Sequence, residues 1–130
     1  MMRKSLAIAL YFLVAGLAAC SEVKELPQIP AQHWKDMDVR IETHPNPPLA
    51  GMSEVVVIVT GHRGRPVHDL IVSLRSSNVA AWVQTIQDGH IGVYRRGVSI
   101  GFGERAVLQV QIQQGGSTQV LLFPLKLSAG

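Results

Sequence analysis

Few residues in this chain have side chains suited to chemistry, and they are scattered. There is one cysteine, Cys20, and five histidines: His33, His44, His62, His68 and His90. Imidazole nitrogens suit both copper and zinc. His62 and His68 flank a Gly64-Arg65-Pro66 turn with Asp69 adjacent, so this pair is the best-placed set of metal donors in the sequence. His44, Met52 and His90 also fall on expected loops, where they would make a second cluster. His33 and Met37 are spaced as on one helix face, but their segment carries no helical pattern. No H-x-x-x-H or His-x-His spacing occurs, so the competing reading is solvated loop histidines without metal.

Gly97-Val98-Ser99-Ile100-Gly101 matches the G-x-S-x-G nucleophile elbow letter for letter. That motif works because a strand turns sharply into a helix and lifts the serine above a sheet. Here further strand pattern follows the serine, and the chain is short for a sheet carrying separate Asp and His loops. Ser99 is therefore read as a coincidence; no catalytic residue is expected, and the chain is not read as an enzyme.

Cys20 has a more informative setting. Arg3 and Lys4 precede an apolar stretch, residues 5–17, which ends in Leu17-Ala18-Ala19-Cys20. Cations, an apolar run and small residues before a cut site form a secretory signal. The run falls short of the ~20 residues of a membrane-spanning helix. Its end resembles the lipobox of bacterial lipoproteins, in which cleavage precedes a cysteine carrying a thioether-linked diacylglyceryl group. The resemblance implies a signal peptide over residues 1–19 and lipid attachment at Cys20, with palmitate-type acyl chains anchoring the protein to the membrane. It places the protein in the cell envelope, facing the periplasm. Ser21, rather than Asp, follows the cysteine, which favours the outer membrane if the cell is Gram-negative. Acylation would also remove the sole thiol, leaving no disulfide, thiolate metal site or cysteine nucleophile.

Without its signal the chain is about 110 residues long, a single domain. Of twelve Lys and Arg, Arg3 and Lys4 leave with the signal, so ten remain against nine Asp and Glu. That near balance argues against nucleic acid as a partner. Arg95-Arg96 is read as solvated surface, the alternative being contact with anionic headgroups.

The elements that must position these residues read as strands. Residues 20–38, with Pro27 and Pro30, form a lipidated tether; residues 39–130 form the folded domain. Residues 39–44 alternate apolar and polar, and Val55-Val56-Val57-Ile58-Val59 suits a central strand packed on both faces. Residues 67–76 alternate again, with Leu70, Val72 and Leu74 on one face. Residues 82–87 make a shorter strand, ended by the Asp88-Gly89 turn. Strands follow over 92–100, 106–113 and 118–127; in the second, Leu108, Val110 and Ile112 face in while Gln109, Gln111 and Gln113 face out. Trp82 is placed in the core. About seven short strands at this spacing, with no capped helical period, predict an all-β fold: an Ig-like antiparallel β-sandwich, with a small barrel as the alternative. Residues 118–127 are expected at a sheet edge open to partners.

Gly64-Arg65-Pro66-Val67, Asp88-Gly89 with Tyr94, Gly101-Phe102-Gly103 and the Val107 to Ile112 alternation together resemble the YtkA-like domain, over residues 47–125. That family comprises small exported Ig-like sandwiches and includes the periplasmic part of FixH-like proteins. The resemblance implies the sandwich fold and, through its relatives, a copper-handling or cytochrome oxidase assembly role. Two departures weaken an inherited metal role: residues 76–87 lack the Met and His common in the family, and His90-Ile91-Gly92-Val93 lengthens the turn before Tyr94. The leading functional expectation is a membrane-anchored, non-enzymatic binding or scaffolding domain with an envelope protein as partner. Copper handling through His62 and His68 is the alternative.

Overall fold

The structure, a computed structural model, describes residues 29–101 and 105–128. Among them are nine strands: β1 (Gln32–Trp34), β2 (Met37–His44), β3 (Gly51–Thr60), β4 (Ile71–Arg75), β5 (Val83–Gln84), β6 (Ile86–Asp88), β7 (Val93–Ile100), β8 (Arg105–Gln114) and β9 (Ser117–Lys126). All pair antiparallel, in two sheets ordered β1-β2-β3-β7-β6 and β5-β4-β8-β9. With β1 set aside, these are the A-B-E-D and C′-C-F-G orders of the immunoglobulin fold. No helix of the described residues is long and apolar enough to cross a membrane.

Period-two patterning decides which side chains meet between the sheets. Along β2 the alternation is unbroken, so Met37, Val39, Ile41 and Thr43 are buried while their neighbours face out. Val55, Val57 and Val59 of β3 join them from the same sheet. Val72 and Leu74, then Leu108, Val110 and Ile112, then Leu121, Phe123 and Leu125 answer from the other sheet. Burying each such side chain is worth ~1.5–3 kcal/mol, and slipping any strand by one residue would turn its whole set to solvent. The central position expected for residues 55–59 is what the structure shows: Val56 is buried on the outer face of β3 as well.

Several expectations shift. β1 and the start of β2 lie within residues 20–38, the expected tether: Gln32 to Trp34 pair with Val39 to Met37, Met37 is buried, and Ile29 and Trp34 pack against the core. Apolar side chains at those positions outweigh the lack of a sustained pattern. Residues 82–87 are two short strands in different sheets. Thr85 makes the switch, donating its backbone N–H (2.8 Å) and its hydroxyl (2.8 Å) to the Val72 carbonyl. Trp82 is not in the core cluster. It is half-buried, with the Arg75 guanidinium 4.2 Å from its ring centre, and among the described residues the fully buried aromatic rings are Tyr94 and Phe123. Gln109 faces outward as expected yet is only 8 % exposed. Its amide accepts from Arg75 Nε (2.8 Å) and donates to Asn78 Oδ1 (2.5 Å), because the loop after β4 folds back over it. β9 does end its sheet, but β1 flanks it, with the Gln32 amide donating to the Leu122 carbonyl.

Candidate functional site

At the Thr60 end of β3 two loops converge: residues 61–70, and the turn at 89–92 between β6 and β7. Val59 joins them. Its N–H donates to the Gly92 carbonyl (2.9 Å), and its own carbonyl accepts from the Val67 N–H (3.0 Å). Gly92 is buried at this junction with φ +75°. A β-carbon there would stand 2.6 Å from the Val59 oxygen and 3.1 Å from the Val67 nitrogen. Only glycine allows both the left-handed backbone and the close approach.

Residues 67–70 do not join the sheet, although the alternation extends over them. The buried Tyr94 hydroxyl donates to the Val67 carbonyl (2.9 Å) and accepts from the Leu70 N–H (3.2 Å), taking groups that a ladder would have used. Burial pushes the Tyr94 hydroxyl above its usual pKa, so it stays a donor. Asp69, inside this clamp, has φ +62°, a conformation that Asp tolerates better than most residues. The Asp69 N–H donates to Gln87 Oε1 (3.0 Å), and Gln87 Nε2 donates to the Gly89 carbonyl (2.6 Å). One amide thus ties the two loops together.

The outcome is a surface cluster of three side chains. His68 Nδ1 lies 2.8 Å from Asp69 Oδ2, and His90 Nδ1 lies 3.9 Å from Asp69 Oδ1. The two imidazole rings meet edge to face, 5.2 Å between centres. A donor atom from each of the three lies within 4.8 Å of the others, and all three residues are exposed. Its hydrogen bond with His68, aided by Gln87 and the charge of His90, holds the Asp69 carboxyl below the usual carboxylate range. Two nitrogens and a carboxylate are donors for borderline divalent cations.

The sequence-derived candidates are dispersed around this cluster. His68 belongs to it, and so does His90. His62 sits exposed in a short 3₁₀ turn (His62–Gly64) and is not part of the converging group. His44 and Met52 lie at the other end of β2 and β3, roughly 20 Å along the strand from the junction, so they form no cluster with His90. His33 pairs with Asp38 across the β1–β2 hairpin, while Met37 is buried; they share no helix face. Ser99 lies within continuous β7, opposite Met52, with no strand-to-helix elbow. Cys20 lies outside the described residues. Gln87, Gly92 and Tyr94, which set the cluster's geometry, escaped the sequence reading of the site. Their visible signal was the long turn between Asp88-Gly89 and Tyr94.

A concavity of about 420 Å³ opens on the outer face of β6 and β7, lined by Glu54, Ile86, Asp88, Arg95 and Arg96 among others. Arg95 is held there by Asp88 (3.1 Å) and Glu54 (3.5 Å). Exposed pairs of this kind contribute little to stability.

Comparison with known proteins bears on the fold. The chain is similar to the crystal structure of a DUF4426 family protein from Pseudomonas aeruginosa PAO1, with a TM-score of 0.50 at 13% identity, covering 78% of this chain and 98% of that one. At that identity the likeness speaks for a shared β-sandwich and nothing finer. No family model matches the chain and no curated protein matches it, so the resemblance to the YtkA-like domain rests on its turn and strand motifs alone.

Proposed function

We propose that this chain is a lipid-anchored protein of the bacterial cell envelope whose β-sandwich binds a partner and performs no catalysis. The observation that carries the reading is Leu17-Ala18-Ala19-Cys20 at the end of a short apolar run, twelve positions (32 − 20) before the first strand at Gln32. A chain of that length reaches at most ~40 Å, enough to hold a small domain clear of lipid headgroups facing the periplasm, at the outer membrane in a Gram-negative cell. Two or more acyl chains on Cys20 would make the anchor stable, where one alone is marginal. The non-catalytic part of the reading is supported by Ser99, whose strand context lacks the turn a nucleophile elbow needs. The partner-facing surface in this reading is the loop end at Val59, where rigid strands present two tied loops.

Metabolic labelling with palmitate, followed by membrane fractionation, tests the anchor. The wild-type chain takes up label and stays with the membrane, whereas Cys20→Ser loses label and remains unprocessed. Normal processing of Cys20→Ser would refute the anchor, and hydrolytic turnover abolished by Ser99→Ala would refute the non-catalytic reading.

A further inference from the structure

His68 and His90 are brought together by the backbone of Val59 and the absent side chain of Gly92. We infer that His68, Asp69 and His90 form a binding site for one borderline divalent transition-metal cation, of the Zn(II), Cu(II) or Ni(II) class. This goes beyond the envelope-binding role and does not depend on it.

Geometry comes first. Donors on a tetrahedral ion with bonds of ~2.0–2.1 Å stand about 3.4 Å apart. The separations here, 2.8 Å from His68 Nδ1 to Asp69 Oδ2 and 3.9 Å from His90 Nδ1 to Asp69 Oδ1, lie on either side of that value. All three donor atoms lie within 4.8 Å of one another, a spread that rotamer adjustments of exposed side chains can close. An ion would take the place of the proton shared by His68 and Asp69, with the imidazole shifting to its Nε2–H tautomer.

The frame around the ligands is stiffer than an exposed loop requires. Tyr94 grips the backbone on both sides of the His68-Asp69 pair, at Val67 and Leu70. Gln87 fixes the Asp69 N–H and the Gly89 carbonyl, one residue before His90. Among the described residues Asp69 is one of three non-glycine residues at positive φ, with Lys35 and Arg63, and bonds at Val67, at its own N–H and at Leu70 hold it in place. Such over-determined backbone is a feature of ligand clamps, and orientation by a surrounding shell raises metal affinity.

The donor set decides the class of ion. Two imidazoles and a carboxylate suit Zn(II), Cu(II) and Ni(II), whereas Cu(I) selects thiolate or thioether. Among the described residues no sulfur is at hand: Met52 is at the far end of β3 and Met37 is buried in the core. Three protein ligands on an exposed surface leave at least one coordination position open, to water or to a donor from elsewhere.

Titration of the full-length chain, purified in detergent without a polyhistidine tag, with Zn(II) by calorimetry tests the site. Co(II) substitution reports the coordination by its visible spectrum. One Zn(II) per chain is expected, with intense tetrahedral Co(II) bands. His68→Ala and His90→Ala should each weaken Zn(II) at least tenfold, while His62→Ala and His44→Ala leave it within twofold. Tyr94→Phe, which keeps every ligand, should weaken it severalfold. All these side chains except Tyr94 are exposed, and circular dichroism of each variant checks the fold. No saturable binding overturns the inference. So does equal weakening by His62→Ala, or tighter binding of Cu(I) than of Cu(II).

Discussion

Replacing Gly92 by alanine isolates the junction that brings the two histidine loops together. The new β-carbon would lie 2.6 Å from the Val59 carbonyl oxygen, 3.1 Å from the Val67 nitrogen and 3.2 Å from the Pro66 Cα. All three are backbone atoms, so no side chain can swing aside. A left-handed conformation costs an L-residue ~1–2 kcal/mol, and forcing a methyl into filled space costs ~1–3 kcal/mol. The sum is about 3.5 kcal/mol at its middle, a large part of the ~5–15 kcal/mol that keeps a domain folded. For a domain of this size each kcal/mol moves Tm by ~4–8 °C, giving a fall of about 14–28 °C. Urea unfolding followed by tryptophan fluorescence measures the loss directly, with an unchanged slope showing that the unfolded state is not what moved. Gly116→Ala is the control: nothing lies within 4 Å of a β-carbon there and its φ is not in the left-handed range, so its effect should stay within ~0.5 kcal/mol. Amide exchange should quicken at Val59 and Val67, whose N–H groups bond across the junction. A Gly92→Ala protein within 1 kcal/mol of wild type would refute the reasoning, because the loops would then have room the structure denies them.

Thr43 carries a buried hydroxyl with no hydrogen-bond partner among the described residues, so the isosteric Thr43→Val should raise stability by about 1 kcal/mol in the same assay; a loss would mean the hydroxyl is bonded after all. Gln109→Leu leaves Arg75 Nε and Asn78 Oδ1 without the amide they share, and should cost ~1–2 kcal/mol, visible as a lower denaturation midpoint. Tyr94 has a folded pKa raised by burial above the ordinary 10.0. A raised folded value means its contribution is intact below the unfolded pKa and is lost as pH rises through the folded one. Stability should therefore decline above pH ~10 in wild type and lack that step in Tyr94→Phe. The difference in tyrosinate absorbance between the two proteins isolates this ring from Tyr11, the other tyrosine; a Tyr94 titration at or below the ordinary value would contradict the buried clamp.

Much of the fold was legible because it rests on local alternation. Residues 106–113 and 118–127 carry their inward sets at every second position, and β8 and β9 follow within one or two residues of those bounds. Where the reading failed, a distant backbone group had changed the local answer. The alternation through residues 67–70 is real, and Leu70 is buried as it implies, yet the Tyr94 hydroxyl claims the Leu70 N–H and the Val67 carbonyl that a ladder would use. Residues 82–87 look like one strand because strand propensity carries no record of which sheet will take the pairs; Thr85 decides that through Val72.

The same reason explains the histidines. Spacing rules compare residues along one element, so His62 and His68, on one loop, were the natural pair. His68 and His90 sit on different loops, and what joins them is a bare backbone at Gly92 and a carbonyl of Val59, neither of which has donor chemistry to notice. A long turn before a buried tyrosine, with glycine two residues before it, was nonetheless in the sequence. Glycine at a left-handed, close-packed position and a tyrosine whose hydroxyl reaches backbone are both requirements of two loops meeting. In a sandwich, where strand faces belong to the core, such meeting points at the strand ends are where side chains from far-apart positions can converge on one ligand. That places the chemistry of this chain with the residues that shape its loops, and the histidines follow from them.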